Sequence, residues 1–546
     1  MTRTLAVSLF CLIASSGQAA NFVVSNTNDN GPGSFRQAVF DANAAAGPDT
    51  LSFNVPFPAT ITLTTGQVLI SDALIITGPG SGSLTIDGNA SNRVIVIVTP
   101  VGVGEDICSI ASADFPVSIS GLTLANGVRN VANSSGGGLY SEKTLTLDDV
   151  VVSGNTAFSG GGIGYNFIYA NQALNISNSR IVNNVARPLS TTTADSNGGG
   201  IRVTQRCATY DGPGTVEISD SVIDGNQTRP GDTYLFSQGG GMHFVVQEAS
   251  LTILNTRIVN NEVVTQNPAV VGANNRGGGL SVTNGISVYI EGSEISGNIA
   301  SRSAGLRVIN DSTSRQTAEE VLPARVINST ISGNIATTSE IGRGTAGITV
   351  FGNVAFTLQN STVFDNESLG GGVGGVDAEG GASFPGPGNT LSPTVTFVSS
   401  IVAGSRNGAP DVGIFDEATF PSLVINATQS LVQSYEPVIS FTGSGNVLGQ
   451  PPNLGPLAFN GGTTRTHAIL LPSPALDTGS NALALLTDQR GEGYPRTSGG
   501  GTDMGAYERL AAVVLRSVPV PSLSGLALAL LSLMLGVAAW SSRRRR

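Results

Sequence analysis

Between Gly136 and Asn366 apolar and polar residues alternate in short runs, and the same two phrases recur seven times. Each copy opens on a glycine step followed by an alternation: GGGLYS at Gly136, GGGIGY at Gly160, GGGIRV at Gly198, GGGMHF at Gly239 and GGGLSV at Gly277, then the degenerate SAGLRV at Ser303 and TAGITV at Thr345. Each copy closes on a second phrase ending in asparagine, at Asn155, Asn184, Asn226, Asn261, Asn298, Asn334 and Asn366. A fixed phrase at near-regular spacing is the mark of a stacked repeat.

The period within each phrase is two, so the phrases predict strands with one face in and one face out. In the opening phrase the apolar columns are Leu139, Ile163, Ile201, Met242, Leu280, Leu306, Ile348 and Ser141, Tyr165, Val203, Phe244, Val282, Val308, Val350. The outward column between them is Tyr140, Gly164, Arg202, His243, Ser281, Arg307, Thr349. In the closing phrase the apolar columns are Leu147, Ile176, Ile218, Ile253, Ile290, Val326, Leu358 and Val152, Ile181, Ile223, Ile258, Ile295, Ile331, Val363. Asp149, Asn178, Asp220, Asn255, Gly292, Asn328 and Asn360 separate the last two, and these residue types favour a turn. The terminal asparagines predict a ladder of side chains bonded from rung to rung.

One rung cannot bury its own apolar face, and stacking creates a continuous core. The fold class expected is therefore all-β, a right-handed parallel β-helix. A leucine-rich repeat ranks behind it, because β-branched residues and glycine dominate here. In this register Arg257 and Glu294 occupy one outward column on successive rungs and are expected to form a surface ion pair of little energetic weight. Insertions fall at 185–197, 227–238, 262–276, 206–214 and 311–323, the expected sites of partner-specific loops.

Outside the repeats, Ser34 predicts the cap of a short helix with Phe35, Ala38, Val39 and Ala42 on its apolar face, placed to cover the open end of the stack. Residues 1–20 read as a secretory signal peptide: Arg3, an apolar run, then small residues. The expected organisation is signal peptide 1–20, cap and irregular first rungs 21–135, repeats 136–404, final rungs and C-terminal cap 405–510, and a tail 511–546. In the tail, Leu523 to Trp540 is an apolar run expected to span a membrane as a helix, with Arg543, Arg544, Arg545 and Arg546 on the cytoplasmic side.

Composition narrows the functional classes. The chain has 546 residues, 71 glycines, 12% charged residues and a net charge of −11, and removing Arg3 and the terminal arginines makes the body more acidic still. That argues against a nucleic-acid partner. Lys143 is the only lysine, and the fold does not explain this. After the signal peptide only Cys108 and Cys207 remain, either paired in an oxidising compartment or standing as separate buried thiols.

Chemistry-bearing residues are sparse. Asp148, Asp149, Asp220, Asp224 and Asp365 are scattered over different columns or rungs and read as turn-forming or solvated acids, not as the paired carboxylates of a glycosidase. His243 and His467 each lack a second spaced ligand and read as structural. No catalytic, cofactor-binding or metal-binding set is assigned, and no cofactor is expected.

The C-terminal text NGG at Asn460, T-H-A at Thr466, SPALDTG at Ser473, DQRG at Asp488 and DMGAYE at Asp503, with the opening FVVSNTNDNGPGSFRQAV, resembles the choice-of-anchor Q family of bacterial exported β-helix proteins. The resemblance implies a β-helix that is secreted or on the cell surface, without an established activity. The tail, with Val518, Pro519, Val520, Pro521, Ser522 and Leu523 ahead of the apolar run and the arginines, resembles an IPTL/PEP-type sorting signal, although it reads VPVPSLSG. That resemblance implies an exosortase-like protease as partner; a plain single-span anchor is the other reading. The expected function is structural, adhesive or matrix-associated, with a glycan or surface protein as ligand. The alternative is a polysaccharide lyase or glycoside hydrolase, because parallel β-helices host both kinds of protein.

Overall fold

The computed structural model describes residues 19–100, 108, 114–129, 131–188, 195–207, 213–229, 231, 237–264, 275–310, 321–338, 344–380, 392–414, 422–511 and 525–544. The expected signal peptide, apart from Ala19 and Ala20, lies outside these residues. So do Val518 to Leu523, Arg545, Arg546 and much of the expected loops. The chain divides into two compact units, one running to Arg509 and one from Leu510.

The first unit is a right-handed parallel β-helix. Each turn contributes strands to stacked parallel ladders. The first ladder begins at Asn21–Val24 and ends at Ile439–Thr442; it holds the first half of each closing phrase, such as Gly214–Ser219 on Ala249–Leu254. After the bend, the second ladder stacks Val222–Asp224, Arg257–Val259, Glu294–Ser296, Thr330–Ser332 and Thr362–Phe364. A short ladder of two-residue strands follows each asparagine, and the third ladder holds the opening phrases.

The register follows the apolar columns. Leu139, Ile163, Ile201, Met242, Leu280, Leu306 and Ile348 pair in succession, and the column continues to Ile95 before them and to Val376 and Val412 after them. These side chains and the closing-phrase columns make one continuous buried core. The bend residues have φ between 46° and 62°, from Asn360 to Gly292, the left-handed region that Asn, Asp and Gly tolerate. That kink turns the chain from the first ladder into the second without ending either.

The asparagine ladder closes the corner after the second ladder. Asn261 is typical. Its Oδ1 accepts from the Asn226 backbone N–H and Nδ2 at 3.0 and 2.9 Å, and its Nδ2 donates to Ile223 O at 2.9 Å and Asn298 Oδ1 at 3.0 Å. The same bonding links Asn155 through Asn366, and all seven side chains are buried. The glycine step opposite is steric. A Cβ on Gly240 would stand 2.4 Å from Gly278 O and 2.6 Å from the Glu262 backbone.

Helix α1 (Phe35–Ala44) covers the first rungs. Ser34 caps it by accepting from Gln37 N, and Phe35, Ala38, Val39 and Ala42 are its buried face. Phe35 lies against Phe53 with ring centroids 5.9 Å apart. Cys108 and Cys207 are joined by a disulfide, with Cα atoms 5.4 Å apart.

The second unit carries helix α2 (Gly525–Arg543), whose Trp540 is stacked by the Arg544 guanidinium at 4.4 Å. Among the described residues no helix is long and apolar enough to cross a membrane. This differs from the expected span over 523–540, of which Leu523 and Ser524 lie outside the described residues; the described apolar part, Leu526 to Trp540, extends about 22 Å at ~1.5 Å per residue, against a hydrocarbon core of about 30 Å.

Candidate functional site

The outward faces of the second and third ladders both carry charge, and they have different fates. On the second ladder, Arg257 and Glu294 are register neighbours and form the expected ion pair, with Nε to Oε2 at 3.0 Å. It is not a surface pair. Glu294 is fully buried, because residues 454–508 fold back over this face as a strap.

The strap's contacts climb the ladder rung by rung. Thr464 Oγ1 donates to Gly292 O at 3.1 Å, and Arg465 donates to Glu294 through Nε at 2.7 Å and its backbone N–H at 2.9 Å. Gln489 accepts from Thr330 Oγ1 at 2.5 Å and donates to Ser293 O at 3.2 Å. His467 donates from Nδ1 to Gly455 O at 2.7 Å and accepts at Nε2 from Ser332 Oγ at 2.8 Å. Burial lowers its pKa, so the imidazole is neutral in this role. Higher up, Ala506 N bonds Thr362 Oγ1, and Ile401, Ala403 and Leu431 of the stack pack against Ile469, Ala475 and Met504 of the strap.

The motifs around Asp488 and Asp503 hold the strap itself. Arg490 lies between the rings of Tyr494 and Tyr507, 3.9 Å from each centroid, and chelates Asp488. Arg496 is wholly buried and donates to Gly505 O at 2.8 Å, Asp503 O at 3.0 Å and Glu508 Oε2 at 3.0 Å. Burial pushes Glu508 up to about 7, against the opposing pull of the Asp503 and Ser498 N–H groups and Arg496. This network is a structural knot, closed to ligands by its own packing. Its charged partners Arg465, Arg490 and Arg496 were not singled out from the sequence, because each finds its acid only after the chain folds back.

The scattered acids serve neighbouring rungs. Asp148 accepts from Ser177 and Asn178, Asp149 from Ser81, Asp220 from Asn255, Asp224 from Asn260, and Asp365 pairs with Arg406. Among the described residues no group of three or more His, Cys, Asp or Glu is placed to hold a metal.

The third ladder's outer face is different. Register places Arg202, His243, Ser281, Arg307, Thr349 and Asp377 on one outward column. A second column, Asn197, Gln238, Arg276 and Arg302, runs beside it through isolated bridges. Arg307 Nη1 donates to Gln238 Oε1 at 2.6 Å, and Ser281 Oγ donates to the same oxygen at 3.1 Å, so the two columns touch. Below them, Arg93 stacks on Tyr140 at 4.9 Å, and Tyr140 donates to Glu142 at 2.6 Å.

This face is outward by register yet largely covered. His243 is 3% exposed and Arg307 5%, while Arg202, Gln238 and Arg276 are partly exposed. Burial, and then the charges of Arg202 and Arg307, hold His243 far below the usual imidazole range. Burial raises Asp195 to about 6, with Arg202 pulling the other way. Both ring nitrogens of His243, Arg202 Nε and Asp195 Oδ1 are buried without a hydrogen-bond partner. The sequence showed His243 and Arg202 as members of a mixed polar column; the signal was guanidinium and imidazole on adjacent rungs between two apolar columns.

No protein-family model matches the chain, and no curated protein matches it. Among solved structures it is similar to one described as the crystal structure of pectate lyase Pel9A, at 14% identity over 91% of this chain and 98% of that chain, with a TM-score of 0.39.

Proposed function

We propose that this chain is an exported, surface-associated β-helix protein of the choice-of-anchor Q type with an adhesive or matrix role. The observation that carries the reading is the partly exposed Arg202–Gln238–Arg276 face on a stack whose second-ladder face is closed by the chain's own strap. A rigid stack with one face closed by its strap and another left partly exposed suits presentation of a binding surface. Export rests on the signal-like residues 1–20, and handling by an exosortase-like protease on the tail from Val518 to Arg546.

The test is the body without its leader and tail, offered to a panel of acidic and neutral polysaccharides, with binding and new chain ends recorded together. Binding without new ends is the expected result. The second reading, a polysaccharide-cleaving enzyme, is favoured by one observation, the displaced titrations of Asp195 and His243, both of which feel the charge of Arg202. New ends that vanish on Asp195→Asn would establish it and overturn the adhesive role.

A further inference from the structure

Asp49 stands where the core column calls for an apolar side chain. Its register partners on the following rungs of the first ladder are Leu74, Val117, Leu145 and Leu174. The Asp49 side chain is fully buried. Its Oδ1 accepts from the Ala20 N–H at 2.8 Å, while Oδ2 is buried without a hydrogen-bond partner. None of the ion pairs among the described residues involves it. A buried carboxylate is unfavourable unless a cation and further donors reach it, so Asp49 calls for both.

The sequence puts a cleavage signal at the residue that touches it. Leader removal wants small residues one and three positions before the cut. A cut between Ala19 and Ala20 has Ala19 and Gly17 there, whereas a cut after Ala20 would put Gln18 at the outer position. Hydrolysis of the Ala19–Ala20 bond consumes one water. Ala19 leaves with the leader as a carboxylate, and the Ala20 nitrogen becomes an amine that takes up a proton near neutral pH. The amide had one N–H, already given to Oδ1; the ammonium has three, with a full charge. Ala20 is also held in place, because its carbonyl accepts from Thr50 N at 2.8 Å. Charge and donors therefore arise against the carboxylate that lacks them.

Resting on the export part of the reading above, we infer that the chain is cut between Ala19 and Ala20 and that the new amino terminus forms a buried ion pair with Asp49. The pair pins the first strand, Asn21–Val24, onto the second, Asp49–Phe53. An uncut chain lacks it, so the start of the stack becomes firm only once the leader has gone.

The experiment produces the full chain with its own leader in an exporting bacterium and reads the recovered protein by amino-terminal sequencing and intact mass. A chain beginning at Ala20 is expected. A cut at any other bond would overturn the assignment and leave export standing; a chain kept inside the cell with residues 1–19 attached would remove the export reading as well. Hydrogen exchange at Phe22–Val24 then compares the exported protein with and without acetylation of its terminus, each also as Asp49→Asn. Acetylation keeps one N–H and removes the charge, and Lys143, the only lysine, is buried away from the reagent. Exchange is expected to be about tenfold or more faster after acetylation, the size of a lost charge-assisted hydrogen bond, with no further change when Asp49→Asn is acetylated. Equal exchange with and without the acetyl group would overturn the ion pair, and so would an undiminished acetylation effect in Asp49→Asn. Thermal unfolding checks the fold of the variant. Should it not fold, a chain lengthened to begin at Ala19 moves the charge one residue away and is expected to exchange like the acetylated protein; exchange like that of the chain beginning at Ala20 would overturn the pair.

Discussion

At the scale of single residues the stack is held by side chains that make the same bonds on every rung. Asn261 satisfies two donors with one oxygen and two acceptors with one nitrogen, all inside the fold. Asn261→Ala strands these partners, and we expect a loss of about 3 kcal/mol in denaturant unfolding. Asn366 ends the described ladder, with Nδ2 bonded to Ile331 O. Asn366→Ala is therefore expected to cost less, and equal losses at the two sites would contradict this account. Gly240→Ala meets Gly278 O at 2.4 Å, so its cost comes from separating two rungs, not from backbone preference. The asparagine columns and the bend residues could be read directly from the sequence because each repeats with its rung. His243 could be read only as a polar outward residue, since a period of two says which way a side chain points and nothing about what later covers it.

At the scale of elements the strap decides the energetics of the second ladder. Glu294 was legible as the partner of Arg257 but not as buried. Arg465, which completes its bonding, lies far along the chain in a segment without periodicity. Arg465→Ala leaves part of a buried carboxylate unpaired, and a cost of about 3 kcal/mol is expected, read as faster hydrogen exchange at Thr464–Ile469. The strap also holds two titrations of opposite sign. Glu508 has a folded pKa raised to about 7, above its ordinary 4.5, so its contribution is fully present below 4.5 and is lost as pH rises through 7. His467 has a lowered folded pKa, so its neutral bonding to Ser332 and Gly455 is stable above its ordinary 6.5 and weakens as pH falls below it. Exchange corrected for intrinsic rates should therefore show protection near Ser498–Glu508 falling from about pH 5.5 to 8, while protection near His467 rises over the same interval. Parallel slopes at the two places would refute the assignment.

At the scale of the molecule the stack and the strap are unequal partners. Each rung contacts only its neighbours, so the repeats between Gly136 and Asn366 do not need the strap to fold. The upper second ladder does need it for solubility. There the outward residues are Ile401, Ala403 and Leu431, with Phe364 partly buried beside them, and they are covered only because Ile469, Ala475 and Met504 lie over them. Ile401 breaks the rule that outward residues are polar, and that break is a trace of the strap in the repeat's own sequence: TVTFVSSIVAG keeps alternation but places Ile401 where earlier rungs have Arg257, Glu294, Thr330 and Thr362. A chain ending at Gly449 should keep its strand signal in circular dichroism yet expose this apolar patch, bind a hydrophobic dye and self-associate in gel filtration. Restoring solubility by Ile401→Thr with Leu431→Thr in the shortened chain would confirm that the patch, and not loss of the stack, causes the association. A shortened chain that stays monomeric and dye-free would show that the strap covers nothing the stack needs hidden.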